Sequence, residues 1–287
     1  MSNIFKSKAP RTPRTPRTPR APPPQPAQID TLVLSGGGVR GVAMLGAISR
    51  LQAEGVLCGV HTVVGTSAGA LLGALVATRC DLRASLDVMC AHGYVPDFDF
   101  GRLFKEYGLD SGRSLDSLVA ALLPPNITFD QVLRDNGMRL VVCATNLSTR
   151  TSEFFSADTH PDMSVALAIR MSCSVPLFFK AVLHSGSWYV DGSVTNNLPC
   201  DWAFRNGSTR VLGITLKART SPINGIDGFL GALVEAAATT HTSSRADVLE
   251  LDGPGVSSLN FGAPRPQLLR LFTSGAHQAD VFMKKRA

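Results

Sequence analysis

Thr62-Val63-Val64-Gly65-Thr66-Ser67-Ala68-Gly69-Ala70-Leu71-Leu72-Gly73-Ala74-Leu75-Val76-Ala77-Thr78 is the stretch on which the fold turns. Thr62-Val63-Val64 predicts a buried strand, and Ala70 to Thr78 an Ala- and Leu-rich helix. Between them Gly65-Thr66-Ser67-Ala68-Gly69 has the form Gly-x-Ser-x-Gly. A serine at such a strand–turn–helix junction has the setting of a nucleophile elbow. The flanking glycines permit a strained backbone and keep side chains clear of the hydroxyl. Ser67 then stands at a helix N-terminus, where free N–H groups and the helix dipole favour developing negative charge. A glycine-rich turn whose serine only caps the helix has the same residues, so this stretch alone leaves both readings open.

Upstream, Thr31 to Leu34 is a short apolar strand and Ser35-Gly36-Gly37-Gly38 a loop. Val42 to Ala53 has helical spacing, with Met44, Leu45, Ile48 and Leu51 on one side and Gly55 as the stop. Strand, glycine loop, helix, strand, turn, helix predicts an α/β fold, a parallel sheet covered by helices. Gly36-Gly37-Gly38-Val39-Arg40-Gly41 also satisfies the dinucleotide pattern Gly-x-Gly-x-x-Gly. That site wants a carboxylate near the end of the second strand, but the strand ends Val64-Gly65-Thr66 and Glu54 belongs to the preceding helix end. The loop has another use as an oxyanion hole, where consecutive glycine amides converge on one oxygen. Arg40 would orient this loop, meet a substrate phosphate, or be a plain surface charge.

Downstream, residues 81–130 read as mostly helical, punctuated by Gly93, Pro96, Gly101, Gly108, Gly112 and Pro124-Pro125. Arg139 to Thr145 is a strand, Val165 to Met171 a helix, Trp188-Tyr189-Val190 and Val211 to Leu216 strands, and Pro266 to Lys285 a helix. Asp191-Gly192-Ser193 follows one of these strands. Asp-Gly is first a turn signal; a carboxylate at a strand end also serves as a general base when burial lifts its pKa.

The chain has 287 residues, 44% hydrophobic and 17% charged, enough for a substantial core and too apolar for wholesale disorder. Its net charge of +6 sits in an appendage. Lys6, Lys8, Arg11, Arg14, Arg17 and Arg20 precede any acidic residue, and from Asp30 onward 22 cations balance 22 anions. Net charge thus gives no support to nucleic-acid binding by the folded part. Residues 1–28, with Arg-Thr-Pro repeated three times, read as a disordered, basic, proline-rich arm, and residues 29–287 as a single domain. The arm is a spacer or a polybasic contact to anionic lipid or RNA, with Thr12, Thr15 and Thr18 open to phosphorylation. No apolar leader and no run of 18 apolar residues appear, so a cytoplasmic protein, at most peripheral at membranes, is expected. Six scattered cysteines, without a CxxC pair or zinc spacing, read as free thiols in a reducing compartment. None of the six histidines sits in a catalytic pattern.

The three pieces, in this order, resemble the patatin-like phospholipase family: a glycine loop with a basic residue, then Gly-x-Ser-x-Gly, then Asp-Gly before a small residue. Ile169-Arg170-Met171-Ser172-Cys173-Ser174-Val175-Pro176, Asn196-Asn197-Leu198-Pro199 and Gly108-Leu109-Asp110-Ser111-Gly112 are similar to the family as well. The motif-bearing part runs from about Thr31 to Leu216 and fades beyond. Ser193 stands where the family more often has Gly or Ala. The resemblance implies a three-layer α/β/α fold with a central, mostly parallel sheet. It implies a lipid acyl hydrolase without cofactor or metal, working through a Ser–Asp dyad. Carried over, Ser67 is the nucleophile and Asp191 its base. The loop Gly36, Gly37, Gly38, Arg40 and Gly41 forms the oxyanion hole, with the Gly37 and Gly38 N–H groups as donors. The expected partners are a phospholipid or other acyl-lipid substrate, a transient anionic membrane surface and, left open, a protein activator. The alternatives are a Ser–His–Asp esterase on soluble esters and a non-catalytic lipid-binding protein.

Overall fold

In the computed structural model the described residues are 28–218, 244–253 and 255–286, with Phe229, Ala232 and Ala236 between them. The basic arm and its Thr-Pro pairs lie outside the described residues, apart from exposed Gln28.

The predicted opening is present. β1 (Thr31–Leu34) leads through a 3-10 turn (Gly38–Arg40) to α1 (Gly41–Ala53), then β2 (Thr62–Thr66) and α2 (Ala68–Ala77). Gly69 to Ala77 of α2 are all buried, as suits a helix apolar on every side. There follow α3 (Leu82–His92), α4 (Phe100–Glu106), β3 (Gly108–Asp110), α5 (Arg113–Leu122), α6 (Phe129–Asn136) and β4 (Arg139–Asn146). Next come β5 (Thr151–Ser156), α7 (Val165–Ser172), β6 (Leu177–Phe179), β7 (Val182–His184), β8 (Ser187–Asp191), α8 (Cys200–Arg205) and β9 (Val211–Leu216). β10 (Asp247–Leu251) and α9 (Arg265–Lys284) complete the order.

Strands β10-β9-β1-β2-β4-β8-β7 form the main sheet, with β5 added on β4. The five strands β10, β9, β1, β2 and β4 run parallel. β5, β8 and β7 pair antiparallel. The central strands bury both faces, so alternate residues feed two cores. Leu32, Leu34, Val63, Leu140, Val142, Leu212 and Ile214 join the large core beneath most of the helices. Val33, Val64, Val141 and Val211 face a smaller one with Leu198, Cys200 and Ala203 of the α8 region.

Two features were not apparent from the sequence. β5 and β7 extend the sheet where no strand was expected, and β3, inside the stretch read as helical, pairs with the distant β6. The segment beyond Leu216, where the family resemblance fades, adds β10 to the parallel edge and packs α9 against α1. Among the described residues no helix is long and apolar enough to cross a membrane.

Candidate active site

A strand has two edges, and the pairing of β4 brings Ser67 to Asp191. β5 occupies one edge of β4 from Val141 to Asn146. Both β2 and β8 must therefore use the other edge. β2 runs parallel to β4 and stops with Thr66 opposite Cys143. β8 runs the opposite way and stops with Asp191 opposite Ala144. The two strands approach each other end to end, and each turns away at the meeting point. Gly192 lets β8 leave: a Cβ there would lie 2.3 Å from the Cys143 carbonyl oxygen.

Ser67, the residue just past Thr66, has φ 53° and ψ −125°, a conformation uncommon for a side-chain-bearing residue. Gly65 and Gly69 let the elbow close. A Cβ on Gly65 would meet the Gly69 carbonyl at 2.3 Å, and one on Gly69 the Leu34 carbonyl at 2.4 Å. Ser67 Oγ donates to Asp191 Oδ2 at 2.6 Å, and Asp191 Oδ1 accepts the Ser193 N–H at 2.8 Å. Asp191 is only 1% exposed. Burial raises its carboxyl above the usual range, and the hydrogen bonds from Ser67 and Ser193 pull it part of the way back. Burial also pushes the neighbouring Cys173 thiol upward, so it stays protonated.

The end of α7 and the chain just after it hold both partners. Ser172 Oγ accepts the Ser67 N–H at 2.8 Å and donates to the Cys143 carbonyl at 2.6 Å. The Ser174 carbonyl accepts the Asp191 N–H at 2.9 Å. Buried Arg170 donates to Ser174 Oγ at 2.6 Å and to the Ser111 carbonyl at 3.0 Å. Thr145 Oγ1 donates to the Asp191 carbonyl at 2.9 Å. The sequence pattern alone assigns Arg170 to Ser174 no role; their contacts come from the fold.

The glycine loop divides its functions. The Gly36 N–H donates to Asn197 Oδ1 at 2.9 Å, and the Gly41 N–H is taken by the Gly38 and Val39 carbonyls. Among the described residues the Gly37 and Gly38 N–H groups have no hydrogen-bond acceptor. Arg40 corrects one reading: it is no surface charge, being 3% exposed. Its guanidinium donates to the Lys217 carbonyl, and it is not among the residues lining the cavity at Ser67. Arg40 thus ties the loop to the end of β9. Gly38 has φ +54°, and a Cβ on it would lie 2.0 Å from the Ser258 carbonyl oxygen. Gly38→Ala adds an unfavourable backbone conformation to a clash with main chain. It is expected to lose at least about 2 kcal/mol of stability, read by urea unfolding, and most hydrolytic activity. A stable, fully active variant would disprove the importance of this loop shape.

Ser67 opens on a cavity of about 140 Å³ lined by Gly38, Leu71, Leu72, Leu115, Phe179 and Phe261, among others. A second cavity of about 340 Å³ shares six wall residues with it, including Leu118, Phe179 and Phe261, and adds His92, Tyr94, Ser114 and Arg265. No histidine among the described residues hydrogen-bonds Ser67 or Asp191. His61 pairs with Thr62 Oγ1, His92 with the Ser114 carbonyl, and His160 packs on Phe155. Among the described residues no group of three or more His, Cys, Asp or Glu is placed to share a metal ion.

Residues 32–204 match the sequence model described as "Patatin-like phospholipase". The chain is 26% identical over 190 residues to "Probable lipid hydrolase 463L" of Invertebrate iridescent virus 6, covering 63% of this chain and 65% of that one. It is 30% identical over 288 residues to "Uncharacterized protein YqhO" of Bacillus subtilis, covering 88% and 97%. Among solved structures it is similar in fold to VipD from Legionella pneumophila, with TM-score 0.61, 19% identity, and 90% and 67% of the two chains covered.

Proposed function

The chain belongs to the patatin-like phospholipase family, and we propose that it is a lipid acyl hydrolase of phospholipase A or lysophospholipase type, a serine hydrolase working through Ser67 and Asp191. One observation carries this reading: the 2.6 Å bond from Ser67 Oγ to a buried carboxylate, at the wall of an apolar cavity. Asp191 Oδ2 takes the proton as Oγ attacks the acyl carbonyl carbon. The Gly37 and Gly38 N–H groups stabilise the resulting oxyanion. Collapse expels the alcohol, which leaves with the proton from Asp191, and an acyl-enzyme remains. Water then loses a proton to Asp191 and attacks the ester, and the fatty acid departs as that proton returns to Ser67. The apolar walls suit an acyl chain, since burial of each CH₂ is worth about 0.8 kcal/mol.

The histidine contacts do not favour a Ser–His–Asp esterase, and the retention of both Ser67 and Asp191 does not favour a retired, lipid-binding fold. The partners on this reading are an acyl-lipid substrate and a membrane surface, and nucleic acid is not among them.

The test combines fatty-acid release from mixed phospholipid vesicles with fluorophosphonate labelling and peptide mapping. The expected result is release, with the label on Ser67. Label on another residue, or no release, would overturn the reading.

A further inference from the structure

A ledge of exposed aromatic side chains lies on the segment between α3 and β3. Phe104 is 82% exposed, Phe100 75%, Phe98 56% and Tyr107, the residue after α4, 52%. Phe100 and Phe104 share one face of α4 at i and i+4. Soluble monomers seldom expose large aromatics in a cluster without a surface to receive them.

The ledge is rigidly mounted. Buried Asp110 accepts the Tyr94 hydroxyl and the Asp97 and Gly112 N–H groups. Arg102 donates to the Asp97 and Leu109 carbonyls at 2.6 and 2.8 Å.

The ledge is also continuous with the cavity at Ser67. Phe98 packs edge-on to Phe178 at 5.8 Å, Phe178 meets Phe261 at 5.5 Å, and Phe261 lines the cavity. The second cavity reaches Gly93 and Tyr94, immediately before the ledge. Its charges are compatible with lipid headgroups. Asp97, Asp99 and Glu106 each pair with Arg102, with Arg113 and Lys180 adding further contacts, and Lys105 stands exposed on α4.

We propose that Phe98, Phe100, Phe104 and Tyr107 form the bilayer-docking surface of this protein, with α4 lying in the headgroup region and its phenyl rings among the acyl chains. Aromatic side chains carry such interfacial contacts. A second protein copy seated there would stand over the aromatic route to Ser67, whereas a bilayer is itself the source of the acyl chain. The inference rests on the lipid hydrolase reading above, and it is tested without turnover.

The full chain carrying Ser67→Ala is mixed with vesicles of phosphatidylcholine and phosphatidylglycerol, and bound protein is measured by sedimentation. Adding Phe100→Ser and Phe104→Ser is expected to weaken binding about tenfold or more. The melting temperature should not change, since both side chains are exposed. With Ser67 intact, the same two changes should leave hydrolysis of a monomeric short-chain ester within about twofold. F104W should keep binding, and its added indole emission should shift to shorter wavelength with vesicles. Unchanged vesicle binding by the double variant overturns the proposal. So does an F104W emission that ignores vesicles, or light scattering showing that the two serines split a dimer. Failure of lipid hydrolysis itself would show in the Ser67 enzyme while the binding measurement still reads the ledge.

Discussion

Ser67→Gly and Ser67→Ala are both expected to lose ester turnover by about 10⁴-fold or more, yet the glycine variant should be the more stable of the two. Both remove the hydroxyl that bonds Asp191, so that loss cancels in the comparison. What differs is the backbone. A residue with a Cβ at φ 53°, ψ −125° bears a conformational cost of about 1–3 kcal/mol. Glycine relieves it, at an entropic cost of about 0.5–1 kcal/mol in the unfolded chain. The net expectation is about 1 kcal/mol in favour of glycine, read as the difference in urea midpoint at equal slope. Residual turnover near wild type in either variant would remove Ser67 from the chemistry. Equal stability would show that the elbow stores no strain.

Asp191→Asn is expected to cost about 10³- to 10⁴-fold in turnover without lowering stability at neutral pH. Asparagine can still accept the Ser193 N–H and offer an amide towards Ser67. It cannot take a proton from Oγ. The pH dependence follows from the raised carboxyl pKa. The folded protein holds this proton more tightly than the unfolded chain, whose carboxyl titrates near 3.8. The stability contributed by the group is therefore fully present below that value and lost as pH rises through the higher, folded one. At pH 7 the wild type carries the cost of a buried charge that the asparagine variant lacks. The variant should melt at an equal or higher temperature there, and the difference should close towards acid pH. Turnover should do the reverse, rising with pH above the ordinary carboxylate range as the base becomes ionised. Near-normal hydrolysis by a folded Asp191→Asn protein would refute the dyad, and a marked loss of melting temperature at pH 7 would refute the raised carboxyl pKa.

Local pattern made half of this site legible. The strand Thr62–Thr66, the elbow at Ser67 and the buried helix after it follow from an apolar run, two glycines and a continuous Ala/Leu stretch. The glycine loop before α1 was visible too, but not its division of labour. Gly36 gives its amide to Asn197, 161 positions away, while among the described residues the Gly37 and Gly38 amides meet no acceptor. Ser172 and Ser174 were written in the chain without any sign that one secures the Ser67 amide and the other the Asp191 amide. β5 escaped notice because Thr151-Ser152-Glu153-Phe154-Phe155-Ser156 lacks regular alternation, and its stability comes from pairing with β4.

By itself the sequence determined the local conformations where the side-chain pattern is strong: β1, α1, β2, α2, β4 and α7, and the serine on its tight turn. Those depend on side-chain period and backbone freedom within a few residues. Only the tertiary structure decided that β2 and β8 share one edge of β4 and stop against each other. Strand pairing is a contest among distant hydrogen-bonding edges, and with β5 along one edge of β4 the ends of β2 and β8 meet on the other.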